Sequence, residues 1–155
     1  MADPGKLSPS KITTYLGCSF AYCLQYILHE WVPENVRLSF GKKIHWMLDN
    51  VYDLNFKSDE SFASSWCFHW RRTVAGDNLK ESEKNKIGFG SKEYEYTGRD
   101  EEGKQVKKIL KVGSHIDLGP NPLGTFFAYR TLGVNILKRF YNRHMCEKNE
   151  KNEKR

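Results

Sequence analysis

Two runs of apolar residues at helical spacing, separated by a proline, constrain this chain most. Ser8-Pro9 is a helix start, because serine can cap and proline is tolerated at the first helical position. Ile12, Tyr15, Leu16, Phe20, Cys23, Tyr26 and Ile27 then follow at a 3.6-residue period, which predicts an amphipathic helix over 9–29. Trp31-Val32-Pro33 ends it. A second helix is expected over 39–56, with Ile44, Met47, Leu48 and Val51 as its buried stripe. His45 falls at the edge of that stripe, and Gly41 lies one turn earlier on the same side.

The remaining elements are read in the same way. Ser58 followed by Asp59 and Glu60 marks a third helix start, and Gly76 closes that helix over Phe62, Trp66, Phe68 and Trp70. The polar run 76–86 predicts a mobile loop. Tyr94 and Tyr96 alternate with charges, and Gly98 to Gly103 has turn composition, so a small β-hairpin is expected around 92–112. A last helix is expected from Pro122 to Met145, with Phe126, Phe127, Leu132, Ile136, Leu137, Phe140 and Tyr141 on its apolar face. The fold class is therefore mainly α. One domain is expected over 1–145, followed by a disordered charged tail over 146–155.

Composition narrows the partners. A net charge of +6 suits a polyanion, most simply nucleic acid, although an ordinary basic protein has the same balance. Lys42, Lys43, Arg71, Arg72, Lys107, Lys108, Lys111, Lys138, Arg139 and Arg143 are the cations that could neutralise phosphates. Lys42 and Lys43, beside His45, are the preferred DNA-binding pair, and the others read chiefly as solvated faces. No apolar run is long enough for a membrane span, and the start does not read as a secretory signal. A cytoplasmic protein is expected, with its four cysteines as reduced thiols or metal ligands.

The segment Leu7-Ser8-Pro9-Ser10-Lys11-Ile12-Thr13-Thr14-Tyr15-Leu16-Gly17-Cys18 and the later Phe40-Gly41-Lys42-Lys43-Ile44-His45 together resemble the opening of RecB-like nucleases of the PD-(D/E)XK superfamily. The resemblance is carried by 7–54 and again by 122–145. It implies the helical N-terminal part of an α/β restriction-endonuclease-like fold. It implies DNA as substrate, in settings such as DNA repair, recombination with a helicase partner, or CRISPR adaptation, and a nucleoid-associated location. It also implies that His45 is a ligand to Mg²⁺ or Mn²⁺, the imidazole joining carboxylates. On composition alone a lone helical histidine is more often structural.

In the iron–sulfur members of that branch a cysteine at the position of Cys18 joins three downstream cysteines in holding a [4Fe–4S] cluster. Cys23, Cys67 and Cys146 lack ligand-like spacing, and the alternative is that Cys18 is a small core residue. The catalytic motif of the family needs an Asp on one strand and Glu-x-Lys on the next. Glu102-Gly103-Lys104 fits the letters but lies in a polar turn, and Gly113-Ser114-His115-Ile116-Asp117 resembles the Asp strand only faintly. Both read as chance matches. The expectation is a nuclease N-terminal portion that does not cut DNA alone. The alternative is a non-catalytic basic nucleic-acid-binding or interaction module.

Overall fold

The computed structural model describes residues 8–28, without the side chain of Leu24, and 33–145. The chain divides into two compact units, one before Pro33 and one from Pro33 onward. The expected tail over 146–155, with Cys146, and the helix end at 29–32, with His29, lie outside the described residues.

In the first unit the single helix expected over 9–29 is divided. α1 spans Pro9–Gly17 and α2 spans Ser19–Tyr22, continued by a π-helical turn over Cys23–Ile27. Ser8 caps α1, its hydroxyl accepting from the Lys11 amide at 3.3 Å. The division falls at Cys18, whose backbone is extended at φ −161° and ψ 106°. The Cys18 thiol accepts from the Ala21 amide at 3.4 Å and so caps α2. Thr13 and Thr14 turn their hydroxyls back onto the Pro9 and Ser10 carbonyls, each at 2.9 Å, an arrangement that bends helices. The apolar spacing of the sequence runs on through Cys18 and so does not register the break.

The second unit is built on three long helices and a hairpin. β1 (Glu34–Asn35) leads into α3 (Val36–Asp49), which starts earlier than the expected 39 because the Asn35 side chain caps it, accepting from the Arg37 amide at 2.9 Å. It also stops short of 56, and a series of turns follows to Asn55, where φ is +45°. α4 (Asp59–Ala75) starts on Ser58 and ends on Gly76 at φ +78°, as the sequence predicts. The 76–86 run is not all loop, since α5 (Glu81–Lys86) forms there. Its acidic residues lie in the first turn and its lysines in the last, and the Glu83 carboxylate accepts from the Lys80 amide at 2.8 Å.

The hairpin lies where the sequence puts it. β2 (Ser91–Arg99) pairs antiparallel with β3 (Gln105–Gly113), Tyr94 opposite Leu110 and Tyr96 opposite Lys108. Its turn closes through the Asp100 side chain, which accepts from the Lys104 amide at 2.8 Å, and through Gly103 at φ +82°. β4 (Ile116–Asp117) then pairs parallel with β1, and α6 (Pro122–His144) completes the unit.

α4 and α6 hold the core. Trp66 and Trp70 stack at 5.5 Å between ring centres, and both are fully buried. Burial of an indole requires a partner for its N–H. Trp66 donates to the Arg130 carbonyl at 2.9 Å and Trp70 to the Phe126 carbonyl at 3.2 Å, so both anchor on the α6 backbone. Met47 and Val51 reach this core from α3 and the turn after it, and Leu110 and Val112 from the inner face of β3. The result is mainly α with a small β part, as expected from sequence.

Candidate metal centre

His45 is positioned by the residues that bury α3. Val36, Ser39, Ile44 and Met47 face inward, so the residue after Ile44 is turned to the surface. His45 is exposed. It shares an open depression with Arg37, Leu38, Gly41, Lys42 and Asp49. Asp49 follows at i+4, where side chains of one helix face meet. No heavy atom lies within 4 Å of where a Gly41 Cβ would stand, so internal packing does not require glycine there.

The donor set decides what metal chemistry is within reach. Mg²⁺ and Mn²⁺ favour several oxygen ligands. His45 and Asp49 offer one imidazole and one carboxylate. Among the described residues no group of three or more His, Cys, Asp or Glu side chains is placed to hold a metal. These residues therefore do not make a complete divalent-metal site.

The two preferred lysines are both engaged within the fold. Lys42 pairs with the Glu34 carboxylate, which also accepts from the Ser39 hydroxyl. Burial pushes the Glu34 carboxyl up, but the hydrogen bonds and charge of Lys42 and the Ser39 hydroxyl outweigh it, leaving it below the usual range. The Lys43 ammonium stands 3.7 Å over the Trp46 ring. Its pKa is held below the ordinary lysine value by burial and then by the charge of Arg72. Trp46 in turn lies 4.9 Å from the His69 ring. The His69 pKa is lowered by burial, then by Lys43 and Arg72.

Lys43 and Arg72 thus bring two cations from two helices beside the His69 imidazole. Along the chain His69 has no second ligand at i,i+4, and Lys43 reaches it only across the contact between α3 and α4.

The other candidates are not brought together. Cys18 is exposed at the start of α2, Cys23 is half-buried, and Cys67 belongs to the second unit. Glu102 and Lys104 pair with each other at 2.8 Å in the hairpin turn, both largely exposed. Asp117 lies on β4, and its carboxylate accepts from the Gly119 amide at 2.8 Å. Both chance matches behave as turn and strand-end residues.

His115, given no role from sequence, locks the two short strands. Its carbonyl accepts from the Glu34 amide at 2.8 Å, and its Nε2 meets the Thr73 carbonyl at 2.9 Å. A carbonyl only accepts, so Nε2 carries the proton. Nδ1 is buried without a partner among the described residues. Burial lowers the pKa of His115, partly offset by the Thr73 carbonyl and by Glu34.

A family model for the PD-(D/E)XK nuclease superfamily matches residues 6–109, and the chain belongs to that superfamily. The match also covers 55–109, outside the segments that carry the resemblance, and does not include 122–145. No curated protein and no solved structure matches. Nucleases of this superfamily generally use divalent metals and act on DNA. No helix among the described residues is long and apolar enough to cross a membrane.

Proposed function

We propose that this chain is the N-terminal helical portion of a RecB-like PD-(D/E)XK nuclease, which in its intact form hydrolyses DNA phosphodiesters. The observation that carries this reading is the superfamily match over 6–109, a stretch that includes Gly41 and His45 on the exposed face of α3. In this reading His45 is one ligand of a Mg²⁺ or Mn²⁺ site whose carboxylates come from outside the described residues. When bound, the metal would supply an activated water and stabilise phosphoryl charge. Lys42 and Lys43 border the DNA path and neutralise phosphates there, Lys42 exchanging Glu34 for a phosphate oxygen. The intact protein works in the cytoplasm or at the nucleoid, alongside a recombination helicase or a CRISPR adaptation complex. An iron–sulfur role for Cys18 depends on three further thiolates from the intact protein.

The test compares this chain with the intact gene product on labelled DNA, with Mg²⁺ or Mn²⁺. The chain alone is expected to leave DNA uncut. The intact protein is expected to cut it, with at least a ~100-fold loss for His45→Ala, as for removal of a metal ligand or its supporting group. Robust cleavage by the 155-residue chain sinks the partial-nuclease reading. Full activity of the intact His45→Ala protein sinks the ligand assignment.

A second reading, a non-catalytic nucleic-acid-binding module, is favoured by the grouping of Lys43 and Arg72 beside His69, where burial and then the neighbouring positive charge lower the pKa of Lys43 and of His69 with no carboxylate among the causes. Steeply salt-dependent DNA binding by an intact protein that never cuts would support it.

A further inference from the structure

A second basic surface lies away from His45, in a cleft between α4, the tip of the hairpin and the first turns of α6. It encloses about 510 Å³, within the range of ligand clefts. Arg71 enters from α4, Arg99 and Lys108 from the hairpin, and Arg130 from α6. Among the described residues no carboxylate lines it. None of these four cations pairs with an acidic side chain among the described residues. Arg71 spends one N–H on the Ile109 carbonyl at 2.9 Å, and Lys108 donates to the Arg99 carbonyl at 2.5 Å. The Lys108 stem reaches that carbonyl by crossing Gly98, its Cδ only 2.9 Å from where a Cβ would stand. The remaining donors stay available. Four like charges held in one cleft repel one another, and a polyanion relieves that repulsion.

Aromatic rings accompany the cations. Phe68 is 58% exposed at the cleft wall, and Tyr96 is half-buried within it. Exposed rings between cations are the arrangement on which unpaired bases stack while the backbone follows the charge. A duplex keeps its bases stacked inside and has nothing to lay on Phe68.

We propose that this cleft binds single-stranded DNA, with phosphates on Arg71, Arg99, Lys108 and Arg130 and a base stacked on Phe68. The inference rests on the reading of the chain as part of a DNA nuclease, but the site is separate from His45 and needs no metal.

The experiment is fluorescence anisotropy of a labelled oligothymidylate with the full chain in EDTA, over a salt series. Affinity is expected to fall with salt at a log–log slope of roughly −3, from four phosphates at about 0.7 each. Arg99→Gln with Arg130→Gln roughly halves that slope. Arg71 is left in place because it also holds β3. Phe68→Ala weakens binding about 5- to 100-fold with the slope unchanged, the size of one lost base stack. Each variant is checked for native stability by urea unfolding.

Three results overturn the proposal: binding that ignores these substitutions, equal or tighter binding of the matching duplex, or displacement by polyglutamate as effective as by unlabelled oligothymidylate. Because the assay contains no divalent metal, failure of the His45 assignment leaves it unchanged, and failure of the cleft leaves the cleavage test standing.

Discussion

Gly133 shows how narrowly a single position is determined here. A Cβ on Gly133 would stand 2.1 Å from Cε2 of Trp66, an overlap with a rigid, fully buried ring. Alanine would gain about 1 kcal/mol in helix propensity, but forcing a methyl into a filled core costs about 1–3 kcal/mol and the ring cannot rotate aside. Gly133→Ala is therefore expected to lower stability by up to about 2 kcal/mol, read as a reduced urea midpoint at constant m-value. An unchanged or raised midpoint would mean that the Trp66 ring yields. At the same scale His115 makes the fold acid-sensitive. Its folded pKa lies below the ordinary 6.5, so the unfolded chain takes the proton more readily. Stability is full above the unfolded value and falls as pH drops through 6.5 toward the lower folded pKa. The groups facing this ring are the Thr73 carbonyl and Glu34. His69 acts in the same direction, through burial first and then the charges of Lys43 and Arg72. Urea midpoints measured on either side of that window should fall with acid, and His115→Gln should flatten part of the fall. A pH-independent midpoint would contradict a neutral, half-buried imidazole.

At the scale of the element, the signals that held were those with local chemistry. Ser58 and Ser61 form a reciprocal cap on α4, the Ser61 amide donating to the Ser58 hydroxyl at 3.1 Å and the Ser58 amide to the Ser61 hydroxyl at 3.2 Å. Ser58→Ala is expected to cost about 1 kcal/mol, and Ser58→Asp to retain most of it, since aspartate also caps and suits the helix N-terminus. Equal melting temperatures for the parent and Ser58→Ala would show that α4 is held by its tryptophans alone. The hairpin was legible for the same reason, through Gly103 and Asp100 in its turn and the alternation of Tyr94 and Tyr96. The misread elements lacked such a signal. α5 has no apolar stripe, so its six polar residues look like a loop until the end charges are counted. The break at Cys18 hides inside an unbroken apolar period. The end of α3 is marked by no proline or glycine, and its last turn gives way where Val51 must enter the core.

At the scale of the whole molecule, the sequence by itself determined the family, the long helices of the second unit, the hairpin and the place of His45 at the edge of the α3 apolar stripe. Each follows from short-range chemistry: a cap, a period, a turn residue, or a motif within one helix. The tertiary structure decided which charges meet. Glu34 reaches Lys42 and Ser39 only because β1 turns into α3, and Lys43 reaches His69 and Arg72 only because α3 packs on α4. Arg99 and Arg130, never singled out along the chain, become partners of Arg71 and Lys108 once the hairpin and α6 close on α4. Periodicity reports the face on which a side chain stands. It carries no information on which distant face lies opposite, and the effect of a charge depends on that distance and on the water left between.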